Sequence, residues 1–375
     1  MEKRTIASLG TETSLLGFGL MRLPTLDGDS SKIDYPKAQA MVDRAYKAGV
    51  NYFDTAWPYH ESMSEVFAGE TLSRYPRESY YLATKMPTWS PFTCEEDMEK
   101  IFEKQLEKCK TSYFDFYLAH GMNEDRLDIL QNWIYRFLCK KKEEGSIRRI
   151  GFSFHCRPDT MLKLVQKYQW DFAMIQLNYV DWDIANAKRL YEICMEYKLP
   201  VVIMESIKGG TLSNKLYKNA LDVLKKADPA ASPASWALRF AASLPNVITV
   251  LSGMSEPEHV EDNLKTFTPF KPLNDEERSV LEETAQAYRT SGTIPCTDCR
   301  YCSDCPAGVN IPQVLVRYNH YLINKLKINL ISQTQTMPKS EQAHNCTACG
   351  QCVKLCPQGI DIPKYMKETA DILAS

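Results

Sequence analysis

Eight cysteines near the end of the chain have the spacing of metal ligands. The 375-residue sequence contains 13 cysteines, and eight of them fall between residues 296 and 356. They form two motifs, Cys296-x2-Cys299-x2-Cys302-x2-Cys305-Pro306 and Cys346-x2-Cys349-x2-Cys352-x3-Cys356-Pro357. The second motif matches the C-x2-C-x2-C-x3-C-P run of bacterial iron–sulfur proteins, and the first is one residue shorter before its last cysteine. The spacing therefore predicts two [4Fe–4S] clusters.

The ligands of these clusters are expected to cross between the motifs. In two-cluster ferredoxins the fourth cysteine of each motif ligates the cluster of the other motif. The expected sets are Cys296, Cys299 and Cys302 with Cys356, and Cys346, Cys349 and Cys352 with Cys305. A pair of four-cysteine zinc sites is the alternative, because zinc sites also contain C-x2-C pairs. A third evenly spaced cysteine and a proline, present twice, favour iron–sulfur clusters. The tail resembles the dicluster ferredoxin domain, in its helical rather than its compact form.

Four polar residues earlier in the chain form a second set that could do chemistry: Asp54, Tyr59, Lys85 and His120. A lysine beside a buried carboxylate keeps its charge, and that charge is expected to lower the pKa of a neighbouring phenol. The phenol would then exchange protons near neutral pH, while the histidine would donate a hydrogen bond to a carbonyl oxygen. Taken singly, each residue also has a structural interpretation, such as a turn cap, a surface charge or a buried histidine.

These four residues lie at or just after the ends of predicted strands. Between residues 14 and 251, short apolar runs suited to buried parallel strands alternate with longer helical stretches. The predicted strands are Leu15–Met21, Val50–Asp54, Tyr80–Thr84, Phe114–Ala119, Arg149–Ser153, Phe172–Asn178, Val201–Glu205 and Ile248–Ser252. Eight such strands favour a closed (β/α)8 TIM barrel, an α/β fold with catalytic groups at the C-terminal ends of its strands. An open doubly wound sheet is the alternative, but no G-x-G-x-x-G fingerprint follows the first strand.

The sequence predicts two domains. The small, polar segment Arg289–Pro295 is predicted to be a linker, so residues 1–290 are expected to form the barrel. Residues 291–375 are expected to form a small, mainly helical iron–sulfur domain with an internal repeat, CPAGVNIP at 305–312 and CPQGIDIP at 356–363. Residues 2–12, ahead of the first barrel strand, are predicted to form a hairpin at the bottom of the barrel.

Several segments of residues 1–290 resemble the aldo-keto reductase family. They are GFGLMRLP at 17–24, DTAWPY at 54–59, TK at 84–85 and AH at 119–120. The resemblance implies a (β/α)8 barrel that reduces a small carbonyl substrate with NAD(P)H, the four polar residues being its catalytic tetrad. In that family role, Tyr59 would protonate the developing alkoxide while the nicotinamide delivers a hydride.

The same resemblance implies where NADP or NAD binds. The implied contact residues are Gly19, Met21, Ser153, Gln176, Ser206, Lys208, Gly210, Gly253, Ser255, His259, Asp262 and Asn263. Ser153 and Gln176 match the positions that bind the nicotinamide amide, and residues 206–210 match the pyrophosphate segment. Gly253 and His259 stand where many members have Lys and Arg for the 2′-phosphate. The missing guanidinium predicts a weaker preference for NADP over NAD.

Composition and charge exclude several classes of protein. The 45 basic and 47 acidic residues give a net charge of −2, without the basic footprint of a nucleic-acid-binding protein. No stretch of the sequence has the 18 or more apolar residues of a membrane helix. The first residues also lack the apolar region of a signal peptide. The sequence predicts a cytoplasmic protein of an anaerobe, without nucleic-acid or membrane partners, and predicts no oligomeric state.

Three functions fit these observations. The first is an oxidoreductase whose clusters serve electron transfer or docking to an electron-transfer protein. The second is a nicotinamide-binding, redox-sensing regulatory subunit, which would have no need to keep Tyr59. The third is an electron-transfer module between nicotinamide and ferredoxin. It needs a cofactor such as a flavin, which accepts two electrons as a hydride and passes them on one at a time. A nicotinamide gives a hydride, whereas a cluster accepts one electron. No flavin signature is evident in the sequence, which makes this third function the weakest. The intact tetrad favours the enzyme over the regulatory subunit.

Overall fold

The structure is a computed structural model that describes residues 1–184, 186–213, 215–290, 292–296 and 298–374. Its strands are β1 (Lys3–Ile6), β2 (Thr11–Ser14), β3 (Leu16–Gly19), β4 (Tyr52–Asp54), β5 (Tyr81–Pro87), β6 (Phe116–Met122), β7 (Ile150–Phe154), β8 (Phe172–Gln176), β9 (Val201–Met204) and β10 (Val247–Ser252). Strands β3 to β10 close into a parallel barrel in the order β10-β3-β4-β5-β6-β7-β8-β9. The predicted (β/α)8 barrel is confirmed, and the open sheet is wrong.

Helices follow the barrel strands and continue into the C-terminal region. They are α1 (Tyr35–Lys47), α2 (Ser64–Leu72), α3 (Glu95–Lys108), α4 (Leu127–Ile129), α5 (Tyr135–Glu143), α6 (Pro158–Lys167), α7 (Asp181–Ile184), α8 (Ala187–Glu196), α9 (Lys218–Ala227), α10 (Pro233–Ala242), α11 (Pro257–Thr266), α12 (Asp275–Thr290), α13 (Ile311–Asn324), α14 (Lys327–Gln335), α15 (Gln351–Leu355) and α16 (Ile362–Ala374). A π-helical stretch, Leu130–Ile134, joins α4 to α5. Among the described residues, no helix has the length and apolar character that a membrane span requires.

The barrel interior is filled by large apolar side chains. Tyr52, Phe116, Phe172 and Ile248 are buried there in one cluster. Gly151 of β7 permits this packing, because a Cβ at that position would lie 2.6 Å from the Phe172 ring. Strands β3 to β10 are buried almost throughout, which is why most of their residues are apolar.

The N-terminal residues form the predicted hairpin. Strands β1 and β2 pair in antiparallel fashion, and Leu9 between them packs into the barrel cluster. Arg4 donates hydrogen bonds of 2.9 Å to the carbonyl oxygens of Leu244 and Val247. The hairpin therefore covers the end of the barrel at which the strands begin.

Contacts divide the chain into two units. The first comprises residues 1–207 and 234–278 and contains the barrel, and the second comprises residues 208–233 and 279–375. Within the second unit, the ring of Tyr217 packs against that of Tyr288 with centroids 5.2 Å apart. Arg289 and Thr290, the first two residues of the predicted linker, belong to α12. Residue 291 of that linker lies outside the described residues.

The second unit has an apolar core of its own. Val309, Ile311, Leu315, Tyr318 and Met366 are buried in it, and most of the cysteines of the two motifs pack against it. Each copy of the internal repeat leads directly into a helix, α13 after the first and α16 after the second. The predicted helical character of the tail is confirmed.

Candidate active site and cysteine cavities

Asp54, the last residue of β4, forms a buried ion pair with Lys85 of the adjacent strand β5. The Nζ atom of Lys85 lies 2.7 Å from Oδ1 of Asp54 and donates a second hydrogen bond of 2.7 Å to the carbonyl oxygen of Thr55. The lysine side chain is 1% exposed and the aspartate side chain 4%. Burial raises the pKa of Asp54 and lowers that of Lys85, and each charge offsets this effect for the other.

The rings of Tyr59 and His120 lie close to this ion pair. The Nζ atom of Lys85 is 4.9 Å from the centroid of the Tyr59 ring. The Tyr59 and His120 ring centroids are 6.0 Å apart, with the rings at 83° to each other. His120 lies on β6, which pairs with β5. The structure thus brings together all four residues that the sequence singled out for catalysis.

The expected lowering of the tyrosine pKa is wrong. Burial raises the pKa of Tyr59 well above 10.0, and the negative charges of Asp54 and Glu205 raise it further. The charge of Lys85 is directed instead at the carboxylate and carbonyl oxygens that accept its hydrogen bonds. A phenol with a raised pKa stays protonated at neutral pH, so it is suited to donate a proton rather than to accept one.

His120 is held as a neutral imidazole. Burial lowers its pKa well below 6.5, and the positive charge of Lys85 acts in the same direction. Burial likewise lowers the pKa of His155 to about 4. The carbonyl oxygen of His120 accepts a hydrogen bond of 2.6 Å from the hydroxyl of Thr88, and the Trp89 ring packs 4.9 Å from the imidazole. Among the described residues, Nδ1 of His120 is buried without a hydrogen-bond partner.

An ion pair that sequence reasoning missed lies beside Tyr59. A guanidinium nitrogen of Arg22, after β3, lies 3.8 Å from a carboxylate oxygen of Glu205, after β9. Glu205 has a left-handed backbone with φ of 55°. Both charges act on the tyrosine pKa, the carboxylate raising it and the guanidinium lowering it. The signal for Glu205 was present, because it ends a predicted strand as Asp54 does.

Sequence analysis also missed a buried carboxylate that binds Thr84, the residue before Lys85. Glu65 of α2 is completely buried and accepts hydrogen bonds of 2.7 Å from Thr84 and 2.6 Å from the amide of Gln105. The same amide donates to the backbone carbonyl of Lys85 at 3.1 Å, and Lys108 lies 3.6 Å from the Glu65 carboxylate. This network holds the side chain of Thr84 and the backbone carbonyl of Lys85.

Four of the predicted cofactor residues lie together where β3 and β10 end. A Cβ added at Gly19 would lie 3.5 Å from the backbone of β10, and one at Gly253 would lie 3.3 Å from Arg22. Met21 belongs to the same single 3₁₀ turn as that arginine. The hydroxyl of Ser255 donates a hydrogen bond of 2.7 Å to the Arg22 carbonyl oxygen.

The two residues predicted to bind the nicotinamide amide also bind protein groups. The hydroxyl of Ser153 accepts a hydrogen bond of 2.7 Å from the backbone N–H of Gly121, next to His120. The amide of Gln176 donates to the carboxylate of Asp181 at 3.0 Å. Both side chains are therefore held in place by neighbours.

The remaining predicted cofactor residues fall in two places. Ser206 is buried and donates to the Leu251 carbonyl oxygen at 2.9 Å, and Asn263 is buried and donates to Ser252 at 2.9 Å. Asn263 shares α11 with His259 and Asp262. By contrast, Lys208 and Gly210 belong to the second unit.

The eight motif cysteines line two cavities in the second unit. The first cavity, of about 320 Å³, is lined among others by Cys296, Cys299, Cys302 and Cys356. The second cavity, of about 410 Å³, is lined among others by Cys302, Cys305, Cys346, Cys349 and Cys352. Each cavity thus contains the fourth cysteine of the opposite motif, and one cysteine borders both.

The cysteines that influence each other's pKa values fall into the same two sets, each with one cysteine from the other motif. Burial raises the pKa of Cys302 to about 12, a value to which Cys299, Cys296 and Cys356 contribute. For Cys352, burial again raises the pKa, and Cys346, Cys305 and Cys349 add to the increase. These neighbours are the two ligand sets that the sequence predicts.

Both cavities offer several thiol ligands. Among the described residues, no three His, Cys, Asp or Glu side chains are arranged so that they could hold one metal ion. A tetrahedral zinc site would need its thiolates about 2.3 Å from the metal. The four and five cysteines that line these cavities include the ligands that a [4Fe–4S] cluster requires.

Fold and site together define a (β/α)8 oxidoreductase with a cysteine-rich C-terminal region. The model of the aldo/keto reductase family matches residues 15–286, and that of the 4Fe-4S dicluster domain matches residues 295–360. The chain belongs to the aldo/keto reductase family and carries a 4Fe-4S dicluster domain.

Several known proteins are similar to the barrel. An uncharacterized oxidoreductase, YqkF of Bacillus subtilis, is 25% identical over 317 residues, which cover 76% of this chain and 97% of YqkF. The NADH-specific methylglyoxal reductase of Escherichia coli is 24% identical, in an alignment that covers 76% of this chain and 96% of the reductase. The solved structure of the aldo-keto reductase AKR11C1 from Bacillus halodurans superposes with a TM-score of 0.64 and 25% sequence identity. The match covers 76% of this chain and 97% of AKR11C1.

Proposed function

We propose that this enzyme reduces the carbonyl group of a small aldehyde or ketone with NADH or NADPH. The observation that carries the proposal is the position of the Lys85 ammonium, bonded to Asp54 and 4.9 Å from the centroid of the Tyr59 ring. A bound nicotinamide supplies the hydride in such a reaction, and the protein supplies the proton and binds the carbonyl oxygen.

Each member of the set has a role that follows from its surroundings. Tyr59 is protonated at neutral pH and donates its proton to the oxygen as negative charge develops there. The neutral imidazole of His120 donates a hydrogen bond that orients the same oxygen. Lys85 stabilises the phenolate that remains after proton transfer, and Asp54 holds the ammonium in place.

The pH dependence of the reaction tests this assignment. The pKa of His120 is lowered below 6.5 and that of Tyr59 is raised above 10.0, so neither group changes its charge between these values. We expect kcat/KM for carbonyl reduction with NADH to stay constant from about pH 6.5 to 9, because it reports groups of the free enzyme. A tenfold loss per pH unit inside this window would mean that a group with an ordinary pKa controls the step.

For the coenzyme, we propose only a weak preference between NADPH and NADH. Gly253 offers no side chain to a 2′-phosphate, and His259 offers an imidazole in place of a guanidinium. That a relative of 24% identity is named an NADH-specific reductase supports the same proposal.

Titrating the protein with each coenzyme measures this preference. We expect the two dissociation constants to differ by less than a hundredfold. His259→Arg is expected to tighten NADPH by about tenfold and to leave NADH unchanged, because a guanidinium forms charge-assisted hydrogen bonds with a phosphate. Binding of NADPH at least a hundredfold tighter than NADH in the unchanged protein would contradict the proposal.

We also propose that residues 291–375 form the domain that holds two [4Fe–4S] clusters, with ligands crossed between the motifs. Support comes from the two cavities, each lined by cysteines of both motifs. Such clusters transfer single electrons. Because hydride and proton transfer complete carbonyl reduction, the clusters are assigned to a separate role, electron transfer or docking to an electron-transfer protein.

A further inference from the structure

A buried lysine lies in the second unit, outside the proposed catalytic set. Lys208 begins the segment 208–233 and is completely buried, with a left-handed φ of 48°. Its Nζ atom donates a hydrogen bond of 3.2 Å to Oε1 of Gln358. A buried ammonium is costly unless nearby groups compensate it, so its surroundings indicate what it does.

The hydrogen-bond partner of this ammonium borders the first cysteine cavity. Gln358 follows the Cys356–Pro357 pair, and all three residues line that cavity. The hydrogen bond therefore places the ammonium next to a residue of the cavity wall.

We propose that Lys208 raises the reduction potential of the cluster in the first cavity. The proposal rests on the cluster assignment above. A [4Fe–4S] cluster with four thiolate ligands is negatively charged, and reduction adds one more negative charge. A buried cation stabilises the reduced form more than the oxidised form, because charges interact strongly where water is excluded. Net charge around the cluster is a recognised determinant of its potential.

A second cation at this cavity has a weaker effect. Arg300 also lines the first cavity, but its side chain is 61% exposed and lies 3.4 Å from the carboxylate of Asp298. Solvent and its acidic neighbour screen its charge. The lysine is therefore the cation whose removal is expected to matter most.

Redox titration of the full-length protein, purified without oxygen and followed by electron paramagnetic resonance, tests the proposal. At a fixed potential, Lys208→Met and Lys208→Gln are expected to lower the ratio of reduced to oxidised first cluster at least tenfold. For a one-electron couple this corresponds to a decrease of about 59 mV in midpoint potential. Lys208→Arg keeps the charge and should keep the potential. Lys218→Met, at a site 86% exposed in the same segment, is the matched control.

Iron content separates failure of this proposal from failure of the cluster assignment. Protein that never contains iron contradicts the clusters themselves. Iron-replete Met and Gln variants with unchanged midpoints overturn the role of Lys208, and equal decreases for both clusters overturn its assignment to the first cavity. If both neutral variants lose one cluster and the Arg variant keeps it, Lys208 is needed for assembly rather than for the potential, which also overturns the proposal.

Discussion

Replacing Tyr59 with phenylalanine is expected to lower the turnover of carbonyl reduction by about 10²- to 10⁴-fold, the contribution of a positioned proton donor. This loss corresponds to about 3–5 kcal/mol of transition-state stabilisation. Only the hydroxyl is removed, and the ring that packs near Lys85 and His120 remains. Nicotinamide affinity should therefore stay nearly unchanged. Steady-state kinetics and a coenzyme titration on the same preparation measure both quantities.

Tyr52→Phe is the matched control for this variant. Tyr52 is also a buried tyrosine with a raised pKa, and among the described residues its hydroxyl has no hydrogen-bond partner. It packs in the barrel interior, so its variant should keep normal turnover. If Tyr59→Phe retains normal turnover as well, another group supplies the proton, and the assignment of Tyr59 as donor fails.

Removing the last cysteine of one motif is expected to eliminate the cluster of the other. The fully loaded chain should contain about eight irons, and Cys356→Ser should reduce this to about four. The lost cluster is the one bound by Cys296, Cys299 and Cys302, because Cys356 lines their cavity. Iron analysis and electron paramagnetic resonance of the anaerobic protein measure the loss.

Double variants distinguish crossed from uncrossed ligands. Cys299 and Cys356 line one cavity, whereas Cys349 lines the other. Since residues of one site act as a unit, Cys299→Ser with Cys356→Ser should lose no more iron than either single change. Cys349→Ser with Cys356→Ser should lose both clusters. The reverse result would show that each motif holds its own cluster.

Features that depend on local sequence were predictable. The barrel strands are apolar runs in the sequence. Asp54 and Lys85 stand at or near the ends of two of them, where barrels of this kind carry their catalytic groups. The cysteine spacing likewise predicted the sets that line the two cavities, because the number of residues between cysteines limits what they can surround.

Features that depend on burial and distant contacts were not predictable. The direction of the Tyr59 pKa follows from how deeply the ring is buried, which no spacing reveals. The surroundings of Lys208 depend on Gln358, 150 residues further along the chain. From the sequence alone, Lys208 was predicted only to contact NADP or NAD, because residues 206–210 match the pyrophosphate segment of the family. In the structure it belongs to the second unit.

The most direct test of the account is to follow the transferred hydride. Full-length protein, purified without oxygen, is supplied with NADH or NADPH that carries deuterium at the transferable position and with a series of small aldehydes and ketones. We predict many turnovers, with one deuterium on the carbinol carbon of the alcohol for each coenzyme oxidised. Oxidation of the coenzyme only in the presence of a one-electron acceptor, with no deuterium in any alcohol, would contradict carbonyl reduction at the site formed by Asp54, Tyr59, Lys85 and His120.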